Sequence, residues 1–148
     1  MSASNAPSPA LDEQICFALY NASRAITHRY RELLAPLGIT YPQYLVLLVL
    51  WEAGSSNVSA LGARLELDSG TLSPLLRRLE TAGLVSRSRS SGDERAVVVA
   101  LTALGTELRA RTGHIPAQIC ASTGLALPDL HALQHQIATL ADSVRANS

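Results

Sequence analysis

The chain contains no lysine. All twelve of its basic residues are arginine, and twelve carboxylates balance them to a formal net charge of zero. That balance argues against a general polyanion binder, so any positive surface has to be local. Uniform use of arginine fits a codon bias and is not in itself a phosphate signature. Aromatic residues make up only 4% of the sequence. Cysteine is just as scarce: Cys16 and Cys120 lie 104 residues apart, which makes neither a disulfide framework nor a CxxC pair. In a reducing cytosol the default is two free thiols, and any disulfide would be a signal rather than a staple. Long apolar runs are lacking as well. The longest, "YLVLLVLW", is far short of a membrane span, and the opening "MSASNAPSPA" has neither the basic nor the apolar segment of a secretion signal. The expected location is the cytoplasm, with no membrane partner. What remains is 148 residues, 47% of them apolar, enough for one mostly helical domain with a full core.

Helical spacing dominates the pattern. Ser8 and Pro9, followed by Asp12 and Glu13, predict a helix start, and Leu11, Ile15, Leu19, Ala22, Ile26, Tyr30 and Leu33 continue it for about 25 residues to Pro36 and Gly38. In "ITYPQY", Thr40 and Gln43 can form a capping box with Ile39 and Tyr44 as its staple, opening a second helix that ends at Gly54. The stretch from Asn57 to Leu84 reads as a short helix, a turn around Glu66 to Asp68, and a longer helix with Leu72, Leu75, Leu76 and Leu79 inward. That is a helix-turn-helix pattern. Two β-prone runs then flank the polar segment Ser-Ser-Gly-Asp-Glu-Arg, predicting a hairpin with a charged tip, a wing. Thr102 opens a further helix that Gly113 and Pro116 should interrupt or kink, and Pro128 starts the last one. There Leu130, Leu133, Ile137, Leu140 and Val144 step by three and four, a coiled-coil seam too short to hold alone. We expect it to pack within a dimer interface shared with the first helix.

With its leucines inward, the helix from Ser69 to Thr81 presents Gly70, Ser73, Pro74, Arg77 and Thr81 outward. Small residues let a backbone enter a groove about 12 Å wide, hydroxyls bond bases or phosphates, and arginine can grip guanine. Arg78, on the flank, suits backbone phosphate. Pro74 suggests that regular helix begins only near Thr71. In the wing, Arg95 beside Asp93 is shaped for a neighbouring minor groove, the carboxylate steadying the arginine, with Arg87 and Arg89 on the preceding strand. The candidate DNA-binding set is therefore Ser69, Gly70, Thr71, Ser73, Pro74, Arg77 and Arg78 on the helix, and Arg87, Arg89, Asp93 and Arg95 on the wing.

The segment "CFALYNASRAITHRY" poses a geometric question. Tyr20 lies one turn above Cys16, and Tyr30 falls on nearly the same stripe fourteen residues on, about 21 Å along the axis. If Cys16 and Tyr30 cooperate, the tyrosine has to come from another copy of the chain. The bland alternative is a small buried cysteine. His131 and His135, four apart, read as solvated surface residues rather than metal ligands, and His28 and His114 are isolated. No metal or other cofactor is expected, and no phosphate loop or catalytic triad order is present, so the chain is not expected to be an enzyme.

The order of elements, the helix "LDSGTLSPLLRRLE" and the wing "RSSGDERAVVVALT" closely resemble the MarR family of winged helix-turn-helix regulators, from Leu11 to Ala146. Within it, "ICFALYNASRAITHRY" followed by "LGITYPQYLVLLVLWE" is similar to the organic hydroperoxide resistance regulator subgroup, which senses peroxide through a cysteine in its first helix. The resemblance implies that Cys16 is the peroxidatic cysteine and that the partner subunit's Tyr30 and Tyr41 hydrogen-bond it. It also implies that Cys120 is the resolving cysteine, forming a disulfide with the sensing cysteine of the other subunit.

The expectation is a mainly α, single MarR-type domain over residues 1–148, with dimerisation helices at about 9–35 and 103–146 and a winged helix-turn-helix at about 41–101. It would act as a homodimeric repressor that binds a pseudo-palindromic DNA operator when reduced and releases it when an organic hydroperoxide oxidises Cys16. Two rivals stand beside it. One is a regulator responding to a small phenolic or other aromatic ligand, with both cysteines structural. The other is a thiol peroxidase, disfavoured because a turnover enzyme needs no wing.

Overall fold

The computed structural model describes residues 6–90 and 93–148, apart from the side chains of residues 90 and 93–95. It contains seven α-helices and a three-stranded antiparallel sheet among those residues. The chain divides into two compact units: one holds the chain up to Tyr30 and from Ile115 to Ser148, and the other holds Arg31–His114. No single helix among the described residues is long and apolar enough to cross a membrane.

Helix α1 spans Ile15–Leu34 and starts later than the sequence predicts. Before it comes a single 3-10 turn, Leu11–Glu13, held by local side-chain bonds. Ser8 Oγ accepts from the Ala10 N–H at 3.1 Å, and the Gln14 amide donates to the Ser8 carbonyl at 2.8 Å. These bonds satisfy the early backbone groups outside a regular helix, so Ser8 braces the segment ahead of the turn and α1 begins after Gln14. The C-terminal end matches expectation. A second 3-10 turn, Ala35–Leu37, closes at Gly38, whose φ of 72° is the left-handed conformation that glycine adopts freely.

Helix α2 (Tyr41–Ala53) carries the expected capping box: Gln43 N–H donates to Thr40 Oγ1 at 3.3 Å, and Thr40 N–H donates to Gln43 Oε1 at 2.9 Å. Asn57 caps α3 (Val58–Leu65), and Glu66 at φ 57° makes the sharp turn into α4 (Ser69–Thr81). Asp68 caps α4 by accepting from the Thr71 N–H at 2.7 Å, which lowers its carboxyl pKa below the ordinary value. The helix therefore begins at Ser69, two residues before the start that Pro74 suggests. Pro74 lies in the second turn, where it forfeits only the bond to the carbonyl of Gly70, an exposed residue that water can serve. Leu72, Leu75, Leu76 and Leu79 are buried, as their spacing predicts, in a core with Leu34, Leu47, Leu50, Leu61, Val85 and Val99.

The wing is β2 (Val85–Ser90) paired with β3 (Asp93–Leu101), from Val85 opposite Leu101 to Ser90 opposite Asp93. Because pairing reaches Asp93, the tip is shorter than the six-residue loop expected, and Ser91 and Gly92 of that loop lie outside the described residues. A third strand, β1 (Ser55–Asn57), pairs with the other edge of β3, giving the order β1-β3-β2. Its three polar residues carry no strand signal; pairing with Val98, Val99 and Ala100 imposes the conformation.

Thr102 caps α5 (Ala103–Leu108) and donates its hydroxyl to the Gly83 carbonyl at 2.6 Å. The buried Trp51 indole N–H donates to the Gly105 carbonyl at 2.9 Å, tying α2 to α5. A Cβ on Gly105 would collide with the Leu84 carbonyl. Gly105→Ala is therefore expected to lower the urea midpoint by the equivalent of about 1–3 kcal/mol, the usual cost of overpacking a close backbone approach. An unchanged midpoint would remove this packing role. After a 3-10 turn, Arg109–Arg111, the chain breaks at Gly113 as expected. Pro116 stands second in α6 (Ile115–Thr123), so it starts that helix rather than kinking it, since its missing N–H falls where no intrahelical partner exists. Helix α7 runs over Leu127–Ala146 with Pro128 at its start.

Candidate nucleic-acid interface and thiol site

Helix α4 turns one face to solvent. Ser69, Gly70, Thr71, Arg77 and Arg78 are exposed, and Ser73 and Pro74 are half-buried. At 100° per residue, Gly70, Pro74, Arg77 and Thr81 form the outermost stripe, with Ser69, Ser73 and Glu80 on one flank and Arg78 on the other. The Ser69 flank borders an open cleft of about 660 Å³ whose far wall is the wing, through Arg87, Ala96 and Val97. A convex helix face and a projecting hairpin with a cleft between them can follow two adjacent grooves of a duplex with the phosphate backbone between.

Arg87 and Arg89 are exposed on β2. Arg87 is not a simple solvated cation. Glu80 accepts from its backbone N–H at 3.2 Å, from Nε at 3.4 Å and from Nη2 at 3.3 Å, and the guanidinium holds the Glu80 carboxyl below its ordinary pKa. Glu80 is not among the candidate residues read from the sequence. The available signal was its spacing, seven residues before Arg87 and seven after Ser73. Asp93 and Arg95 have their backbone in β3, and their side chains lie outside the described residues.

The thiol groups sit in the other unit. Cys16, in the first turn of α1, is exposed, and around it Ile15 at 64%, Phe17 at 39% and Tyr20 at 59% exposure are apolar surface without cover among the described residues. The Arg24 guanidinium lies 5.3 Å from the Tyr20 ring centroid, one turn further on. Tyr30 is half-buried on the same helix, about 21 Å along the axis from Cys16, so the structure does not bring the two together within one chain. Tyr41 opens α2, half-buried, and burial raises its pKa, keeping it a neutral phenol able to donate at physiological pH. Cys120 is half-buried on α6, with Sγ 3.8 Å from the Leu125 carbonyl. Arg29 ties α1 to that helix, donating to Ser122 Oγ at 3.2 Å and Gln118 Oε1 at 3.4 Å. His131 and His135 are exposed on α7, as the sequence predicts.

Comparison with known proteins agrees with this arrangement. The family model "Transcriptional regulator SarA/Rot" matches residues 29–111. The chain is 46% identical to the HTH-type transcriptional regulator TtmR of Methylorubrum extorquens, covering 94% of this chain and 71% of that one. It is 44% identical to the organic hydroperoxide resistance transcriptional regulator of Bacillus subtilis, covering 90% and 91%. Among solved structures, AbfR of Staphylococcus epidermidis superposes with a TM-score of 0.74 at 33% identity, covering 91% of this chain and 94% of that one. The fold, the helix-turn-helix with its wing, and these relatives together establish that the chain belongs to the MarR family of winged helix-turn-helix transcriptional regulators.

Proposed function

We propose that the chain is a homodimeric repressor that binds a pseudo-palindromic operator when Cys16 is reduced and releases it when an organic hydroperoxide oxidises Cys16. The observation that carries this reading is the placement of Cys16: an exposed thiol on a helix whose neighbouring apolar side chains are uncovered. A second chain laid against that face would surround the thiol with apolar groups and could supply Tyr30 and Tyr41 as neutral donors. Such a site favours an alkyl peroxide over hydrogen peroxide. Two relatives support the chemistry. The Bacillus subtilis protein is named for organic hydroperoxide resistance, and AbfR has been solved reduced on DNA, overoxidised on DNA and in a disulfide form.

In this reading the α4 face and wing hold the operator, with Ser69, Gly70, Thr71, Ser73, Pro74, Arg77 and Arg78 at the major groove and its backbone. Arg87, Arg89, Asp93 and Arg95 serve the wing. Residues of about 9–35 and 103–146 form the dimer and about 41–101 the DNA-binding part. The Cys16 thiolate attacks the distal peroxide oxygen, the O–O bond breaks, and the alkoxide leaves as alcohol after taking a proton. The resulting sulfenic acid condenses with the Cys120 thiol, forming S–S and releasing water.

Arg29 supports a disulfide between chains. It anchors α6 to the C-terminal half of α1, thirteen residues and about 20 Å along the axis from Cys16. A bridge needs Cα atoms within about 7 Å. An organic hydroperoxide is therefore expected to convert the protein to a covalent dimer on a non-reducing gel, reversibly with dithiothreitol, and Cys120→Ser should abolish the band. Peptide mapping that found only an intrachain Cys16–Cys120 bond would refute the two-chain step. The reading as a whole is tested by a gel-shift titration, in which cumene hydroperoxide should release the operator and a non-oxidising phenol should not. Release by the phenol alone would favour the ligand-responsive rival.

A further inference from the structure

A carboxylate on the wing-side flank of a helix that meets DNA is unfavourable unless something offsets its repulsion of phosphate. Glu80 is such a carboxylate, and Arg87 is what it holds. The three bonds at 3.2, 3.4 and 3.3 Å engage the backbone N–H, Nε and one edge of Nη2, fixing the guanidinium side-on. A guanidinium has five N–H donors in a rigid plane, so the opposite edge, Nη1 with the second Nη2 hydrogen, keeps its capacity. Nη1 has no acceptor among the described residues. Arg87 also lines the cleft of about 660 Å³ opposite Ser69 and Ser73. Side chains of the ion pair are 32% and 41% exposed, so the pair is neither sealed in the core nor free to wander in bulk water.

We propose that Glu80 is a positioning residue that locks Arg87 so that its outer guanidinium edge meets one phosphate crossing the cleft between α4 and the wing. Glu80 thereby trades general attraction for selectivity. It cancels the field of Arg87 toward arbitrary DNA, and it leaves an oriented fork that a correctly seated backbone can use. The same bonds fix the wing to the C-terminal end of α4, so the spacing of the two groove-reading elements is set by this pair. Glu80 itself makes no contact with the nucleic acid. The proposal rests on the operator-binding reading above.

The test uses the full-length reduced protein, a duplex selected by the wild type from a randomised pool, and a scrambled duplex of equal length and composition. Glu80→Gln keeps the shape while removing the charge and half the fork. It is expected to tighten binding to the scrambled duplex and to lower the selected-to-scrambled affinity ratio about fivefold to tenfold, the scale of one ordinary hydrogen bond. Arg87→Ala should reduce the slope of log affinity against log salt by about 0.9 for each half-site. Arg87→Lys should keep that slope yet lose the ratio, because an ammonium carries the charge without the fork. In an Arg87→Ala background, Glu80→Gln should leave the ratio unchanged. A ratio loss that persists in that background, or a salt slope untouched by Arg87→Ala, overturns the proposal. A wild type that selects no preferred duplex overturns operator binding itself, which is seen before any variant is made.

Discussion

Cys16→Ser is expected to bind operator within about twofold of wild type and to need on the order of a hundredfold more organic hydroperoxide for release, if it releases at all. Serine preserves the size of the side chain and its hydrogen bonding, so the exposed first turn of α1 should fold unchanged. What it lacks is a sulfur lone pair able to attack an O–O bond. The effect is large because no other group in the reading performs that step; Cys120 is half-buried and comes second in the sequence of events. A gel-shift titration of both proteins against cumene hydroperoxide reads the difference directly. Release of the variant at the wild-type peroxide concentration would assign sensing elsewhere.

Local chemistry made much of this molecule readable before its structure. Thr40 with Gln43, the glycines ending α1 and α2, and the leucines of α4 each act over four residues or fewer, and each falls where its spacing predicts. The misses are of another kind. Strand β1 exists because β3 offers it an edge, and no property of Ser55, Ser56 and Asn57 foretells a pairing with residues more than forty positions away. The late start of α1 was hidden because a serine hydroxyl serves two alternatives equally well, capping a helix or, as Ser8 does here, accepting from the backbone N–H two residues on in extended chain. Glu80 was overlooked for the same reason as β1. Its partner is near in sequence, but the role of the pair depends on a cleft that only the folded wing creates. The thiol site remains half legible in one chain, which shows Cys16 and Tyr30 on one helix and about 21 Å apart.

Ile137→Asp is expected to convert the protein to a monomer and to weaken operator binding by on the order of a hundredfold to ten-thousandfold. Helix α7 is twenty residues long and buries none of them within the chain. Leu133, Ile137, Leu140 and Val144 stand 43%, 39%, 37% and 59% exposed along one seam. Leu11, in the turn before α1, and Ile15, at the start of α1, are more than 60% exposed. A monomer rarely leaves so much aligned apolar surface in water, and a seam stepping by three and four is built for another helix. An aspartate at its centre puts an unpaired charge where apolar side chains of two chains would meet, and its desolvation opposes association. Loss of the dimer then unlinks the two half-sites, so the second is no longer presented at the millimolar effective concentration that tethering provides. The size of the expected loss comes from that factor rather than from any contact to DNA, since Ile137 is outside the α4 face and the wing. Sedimentation should report the monomer, circular dichroism should report helicity close to wild type, and a single half-site duplex should bind the variant and the wild type alike. A variant that stays dimeric with full operator affinity would move the interface off this seam.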